Sequence, residues 1–155
     1  MPDGATDDRL PDDRVSADLR ALTDWLPTRV AGAADVDVER EPGTTQVVGA
    51  IVTPHRRRAV AVGWDQSDGD HLNVALGGGL GCDLPRTRAS VATLREVIDA
   101  AAAGTVEVRI ANFEVHYRVR LQDGTFLEDT TPTLTPWRSA SWRAALTWTP
   151  SAPYA

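Results

Sequence analysis

Lysine is absent from this chain, and all sixteen basic residues are arginines set against twenty-two acids, for a net charge of −6. Arginine alone suits bidentate recognition of carboxylate or phosphate. With abundant Ala, Gly, Asp and Val, however, it reads as the composition of a GC-rich bacterial coding sequence. Cysteine is nearly absent too: with Cys82 alone, no internal disulfide can form, so nothing exploits an oxidising compartment. No apolar run approaches the ~20 residues a membrane helix needs. The start, Met1-Pro2-Asp3-Gly4, is acidic and polar where a signal peptide is basic and then apolar. A cytoplasmic protein without a membrane segment is the expectation.

The missing charge is local. Residues 1–41 carry eleven acids and five arginines, whereas residues 42–155 carry eleven of each. Acidity of that kind repels nucleic-acid phosphates and suits a basic partner. Within residues 1–14 there are five Asp, two Arg, two Pro and one Gly, a composition too polar to recover its ordering entropy. The expected organisation is therefore a disordered acidic leader over 1–14 and a single α+β domain over 15–155, a span of ordinary domain size.

What is present is periodic. Leu19, Leu22, Trp25 and Leu26 recur at helical spacing behind Ser16, the expected N-cap, and Pro27 is expected to limit the helix. Four strands follow in a meander: Val36 and Val38; Gln46 to Thr53; Val60, Val62 and Trp64; Leu72, Val74 and Leu76. A second helix is predicted over 90–103, with Val91, Leu94, Val97, Ile98 and Ala101 as its stripe and Gly104 as its C-cap. Val106, Val108 and Ile110 then alternate. The parity flips at Ala111-Asn112, which signals a bulge or tight turn before Phe113, Val115, Tyr117, Val119 and Leu121. Asp123-Gly124 predicts a type I′ hairpin. In the tail, Trp142, Ala144, Leu146 and Trp148 keep a strand period up to Pro150. The predicted architecture is a mostly antiparallel sheet of about six or seven strands with two helices on one face, in the order α-β-β-β-β-α-β-β-β.

Catalytic and cofactor signatures are scarce. The loop Gly77-Gly78-Gly79-Leu80-Gly81-Cys82 sits where phosphate loops occur. It lacks the Lys-Ser/Thr of a P-loop, and Cys82 stands where a dinucleotide fingerprint needs Gly or Ala. Asp65, Asp68, Asp70 and His71 match hairpin chemistry better than a calcium loop, because Leu76 replaces the bidentate acid. No metal or cofactor is expected. The histidines, His55, His71 and His116, form no HExxH motif, and no G-x-S-x-G elbow exists.

Three functional readings remain. The leading one is a non-catalytic protein-binding domain, of the kind found among immunity proteins and secretion chaperones by fold-level analogy alone. Its candidate contacts are Trp137, Trp142 and Trp148 with Arg138 and Arg143, a hot-spot composition. The second is a small enzyme or ligand-binding domain with a pocket lined by Trp64, His71, Cys82, His116 and Tyr117. The third is RNA binding through Arg56-Arg57-Arg58, extended by Arg118 and Arg120; the neutral body and the missing stacking motif disfavour it. Exposed strand edges would also permit a homodimer.

Overall fold

The computed structural model describes residues 9–111, 113–132 and 147–155. Its first element, α1 (Arg14–Val30), begins earlier and ends later than the sequence pattern suggests. Asp13, not Ser16, is the N-cap, and its carboxylate accepts from the Ser16 amide at 3.0 Å. Pro27 does not stop the helix. It sits on the solvent side, while Leu26 and Val30 continue the buried stripe of Val15, Leu19 and Leu22 for another turn. The apolar contact at Val30 outweighs the one hydrogen bond that proline cannot make. Ala31, in the left-handed region, then closes the helix by bonding the Pro27 carbonyl.

Five strands follow as a meander: β1 (Ala34–Arg40), β2 (Val47–Pro54), β3 (Val62–Asp65), β4 (His71–Leu76) and β5 (Cys82–Pro85). They pair in sequence order, all antiparallel. Thus β5 occupies part of the stretch expected to be an irregular glycine-rich loop. At four residues between a left-handed Gly81 and Pro85, it is too short for alternation to announce it. The β3–β4 hairpin tip is held by Asp68, whose carboxylate accepts from the amides of Asp70 and His71.

Helix α2 (Arg88–Ala103) starts behind the N-cap Thr87 and ends at Gly104. Gly104 is needed twice over: its φ is +75°, and a Cβ there would lie 2.5 Å from the Pro153 nitrogen. The two helices pack on each other and on one face of the first sheet, α1 on β1 and β2 and α2 on β3.

The chain then builds a second sheet from β6 (Glu107–Ala111), β7 (Glu114–Arg120), β8 (Phe126–Pro132) and β9 (Thr149–Pro150), ordered β8-β7-β6-β9. The α+β class holds, with nine described strands in two antiparallel sheets where one sheet of six or seven was expected. The parity flip is a hairpin turn, since Ala111 pairs with Glu114. The Asp123-Gly124 turn is wider than type I′. Arg120 pairs with Phe126, Leu121 donates to the Thr125 carbonyl, and Gly124 takes φ +85°. Of the predicted tail strand, residues 147–150 fall within the described residues, and of these 149–150 are strand.

One buried cluster joins both helices to one face of each sheet, with Leu19, Leu26, Val52, Val62, Leu72, Val74, Leu76, Leu94 and Ile98 fully enclosed. Residues 151–155 strap this core. Ser151 donates to the Val106 carbonyl, Ala152 to that of Arg58 and Tyr154 to that of Ala102, while the Tyr154 hydroxyl bonds the Val60 carbonyl at 2.7 Å. Burial holds the Tyr154 phenol above its ordinary pKa. The last residues of the acidic segment are fastened as well. Ser16 donates to the Pro11 carbonyl, the Leu10 amide donates to Glu41, and Asp13 pairs with the buried Arg86 at 2.8 Å. Residues 1–8 lie outside the described residues.

Candidate interaction surface

Strand register fixes the two faces of the first sheet. The row Ala50–Trp64–Val74–Cys82 points toward the helices. Two rows point the other way: Asp37–Ile51–Gly63–Ala75, and Glu39–Gly49–Asp65–Asn73–Asp83. No helix covers the second set among the described residues, so this is the sheet's open face. Because Gly49, Gly63 and Ala75 have little or no side chain, the face is dished into a trough of about 790 Å³, reached also by Ala61, Gly78 and Gly79. Ile51 forms one wall and is 53% exposed, and Leu80, just past Gly79, is 81% exposed.

Charge on this surface is one-sided. The trough is lined by Asp37, Glu39 and Asp65 and by no cation among the described residues. Asp37 and Glu39 have no hydrogen-bond or ion-pair partner among the described residues. Asp65 accepts only from the backbone and hydroxyl of Ser67 in the adjoining hairpin. Just beyond the trough, Asp35 is matched by His55 at 2.9 Å and Asp83 accepts from Asn73 at 2.9 Å.

The glycine-rich loop proves to be a cradle for the chain's own carboxylate. Asp129 on β8 is 7% exposed and accepts from the amides of Leu76 at 2.8 Å and Gly81 at 3.1 Å. A Cβ at Gly79 would lie 2.3 Å from this carboxylate. Backbone amides that elsewhere cradle an anionic ligand are here filled from within. The same contact docks β5 on β8: Leu80 donates to the Thr130 carbonyl, and the Cys82 thiol to that of Glu128. The outer edge of β8 is thereby covered. Asp129 escaped sequence reasoning, although it shares the buried parity of Leu127 and faces the backbone amides of Leu76 and Gly81. Arg86 and Gln66 escaped it as well. Arg86 bonds Asp13, Ser16 and the side chain of the fully buried Gln66, which in turn donates to the Val47 carbonyl.

The five expected pocket residues do not converge on one site, although Trp64 and Cys82 share the inward row of the first sheet. Trp64 is in the core, its indole N–H buried without a hydrogen-bond partner among the described residues. His71 is at the exposed hairpin tip with its Nδ1 on Asp68. Cys82 and Tyr117 border the Asp129 cradle, with Tyr117 pushed up in pKa chiefly by burial. His116 points to the opposite face of β7, beside Glu114 and Thr130. The Cys82 thiol is pushed up to about 11, first by burial and then by Asp129 and Asp83. A nucleophilic cysteine needs the reverse environment, cationic and partly open.

Of the aromatic tail, Trp148 is described, whereas Trp137, Arg138, Trp142 and Arg143 lie outside the described residues. Trp148 is engaged on the outward face of the second sheet, 4.1 Å from the Arg118 guanidinium and 4.9 Å from that of Arg109. The arginine run is partly committed too, since Arg56 bonds the Ala155 carbonyl and Arg118 bonds Glu107.

Fold and surface together define a small two-sheet α+β domain with an open acidic sheet face. No known protein family, curated protein or solved structure gives a significant match to the chain. Among the described residues, no helix is long and apolar enough to cross a membrane.

Proposed function

We propose that this chain is a non-catalytic protein-binding domain of the cytoplasm, immunity- or chaperone-like in role, whose open sheet face takes a basic protein partner. The trough carries the reading: an apolar floor rimmed by carboxylates that have no counter-charge among the described residues. Elsewhere on the described surface several acids do have an arginine partner, as in Arg88–Asp18, Arg29–Asp99 and Arg118–Glu107. Like charges gathered on one sheet face repel each other and cost some stability, so a face that keeps them is better suited to a partner than to the fold alone. A second copy of the chain would bring the same sign to this face, which disfavours self-association through it.

A small-enzyme reading has less support, because the Cys82 thiol is pushed up in pKa by burial and its two candidate histidines, His71 and His116, bond other neighbours. An RNA-binding reading is opposed by the acidity of the first sheet's open face.

The test compares capture by the wild-type chain with capture by an Asp37→Arg/Glu39→Arg variant of equal melting temperature. A basic protein retained by the first and lost by the second, with retention falling about tenfold or more between low and high salt, supports the reading. Equal capture by both chains overturns it.

A further inference from the structure

Resting on that reading of the open face, we propose that the trough seats a single arginine side chain of the partner. Its aliphatic stem lies on Gly63 and Ala75 against Ile51, and its guanidinium sits above Gly49 between Glu39 and Asp65. The geometry comes from the register. Glu39, Gly49 and Asp65 are direct neighbours across β1, β2 and β3, so the two acids stand two strand spacings apart, roughly 10 Å between Cα atoms. Nothing projects from Gly49 between them.

Chemistry narrows the occupant. Two carboxylates are too few for a metal seat, and no group of three or more His, Cys, Asp or Glu side chains that could hold a metal ion occurs among the described residues. An apolar side chain would fill the floor and leave Glu39 and Asp65 desolvated without a partner. A phosphate would be repelled. A lysine places a point charge that serves one acid well. A guanidinium presents five donors in a plane and can address both sides of the gap at once, while its stem covers apolar surface. The unused oxygen of Asp65 is available for this, since its Oδ1 serves Ser67. A bulky side chain in place of either small floor residue would close the seat.

The two glycines offer a built-in control. A Cβ at Gly63 would meet only Ile51 Cγ1 at 3.7 Å and the Ala50 carbonyl at 3.9 Å, ordinary contacts, and Gly63 is not among the left-handed glycines. Gly63→Val therefore fills the floor while suiting a strand. At Gly49 a Cβ would fall 2.5 Å from the Trp64 carbonyl, so that position reports on folding instead.

The experiment titrates the ¹⁵N-labelled full chain with Nα-acetyl-arginine amide, and in parallel with the citrulline and lysine analogues. The expected result is weak, saturable binding whose amide shifts cluster on Gly49, Gly63, Asp65 and Ala75. Citrulline should bind at least about tenfold more weakly and lysine between the two. Gly63→Val, and independently Glu39→Gln/Asp65→Asn, should each remove the clustered shifts at an unchanged melting temperature. Equal shifts from citrulline, shifts centred elsewhere, or binding that survives both variants would overturn the seat. If the partner capture depends on Asp37 and Glu39 while arginine amide fails to bind, the face is the interface and the seat is wrong. If arginine amide binds as described but capture ignores the face, the seat stands and the protein-partner reading falls.

Discussion

The outward faces of the two sheets handle charge in opposite ways. On the second sheet, Arg118 lies between Glu107, which it bonds at 2.7 Å, and the rings of Phe126 and Trp148, which flank its guanidinium. Arg109 lies under the same Trp148, its Nε buried. Positive and negative groups there alternate and are closed off by aromatic carbon. On the first sheet, Asp37, Glu39 and Asp65 stand on a floor of glycine and alanine with no cation beside them among the described residues. One face meets part of its charge within the chain, although the buried Arg109 Nε has no hydrogen-bond partner among the described residues, whereas the other face has no counter-charge among them. Stability and partner binding should therefore separate onto different sheets.

Where the sheets meet, that separation should fail in the direction of stability. Asp129→Ala removes the acceptor of the Leu76 and Gly81 amides and leaves buried donors unsatisfied, at a cost of about 3 kcal/mol. In a chain of this size that is a drop of several degrees in melting temperature. The variant should also loosen the floor of the trough, since Gly78 and Gly79 line it. A denaturant midpoint unmoved by Asp129→Ala would show that the cradle is not what joins β8 to the first sheet.

The next largest effect belongs to the closed face. Trp148 is half-buried and supplies the ring over both arginines. Trp148→Ala should cost about 2 kcal/mol through lost area and lost cation–π contact, and leave arginine-amide binding alone. Gly63→Val is its mirror image, silent in the melt and decisive in binding. The comparison breaks if Trp148→Ala is equally silent, because then the second sheet's charges are no better satisfied than those of the first.

Much of this was legible in the chain. The apolar stripes of both helices, the C-cap at Gly104 and the turn at the parity flip follow from side-chain spacing, which local backbone geometry enforces. Three features were not. Helix α1 runs past Pro27 because tertiary burial of Val30 overrides a local penalty, and spacing alone gives no measure of that burial. Strand β5 is too short to alternate visibly, and the glycines before it signal freedom, not the carboxylate from Asp129 that fixes them. The open face was hidden for a topological reason. Asp37, Gly49, Gly63 and Ala75 are unremarkable in their own segments, and only antiparallel register across four strands sets them side by side. Trp64, Cys82 and His116 drew notice as chemically distinctive residues, yet register keeps Trp64 and Cys82 on the inward face of the first sheet and sends His116 to the outward face of the second.

The smallest expected effect concerns a carboxylate of the satisfied kind, Asp13. Hydrogen bonds from Arg86, and then from the Ser16 amide, hold its carboxyl well below the usual carboxylate range. In the unfolded chain the same group takes up its proton near pH 4. The folded state thus binds fewer protons in the interval between, so this contribution is complete above about pH 4 and declines as pH falls toward the folded value. Its side chain is 45% exposed, and solvent screening keeps the effect small. Asp13→Asn retains a capping oxygen for the Ser16 amide but loses the charge facing Arg86. Thermal melts should place the variant about 1–2 °C below wild type at neutral pH, with the gap narrowing below pH 4. Asp37→Asn, which has no partner to lose, should open no such gap at neutral pH. If instead the Asp13→Asn gap is constant down to pH 2, the Arg86 contact contributes nothing to stability. Asp13 would then belong with the unmatched acids of the open face, and the contrast between satisfied and waiting charge would have to be drawn elsewhere.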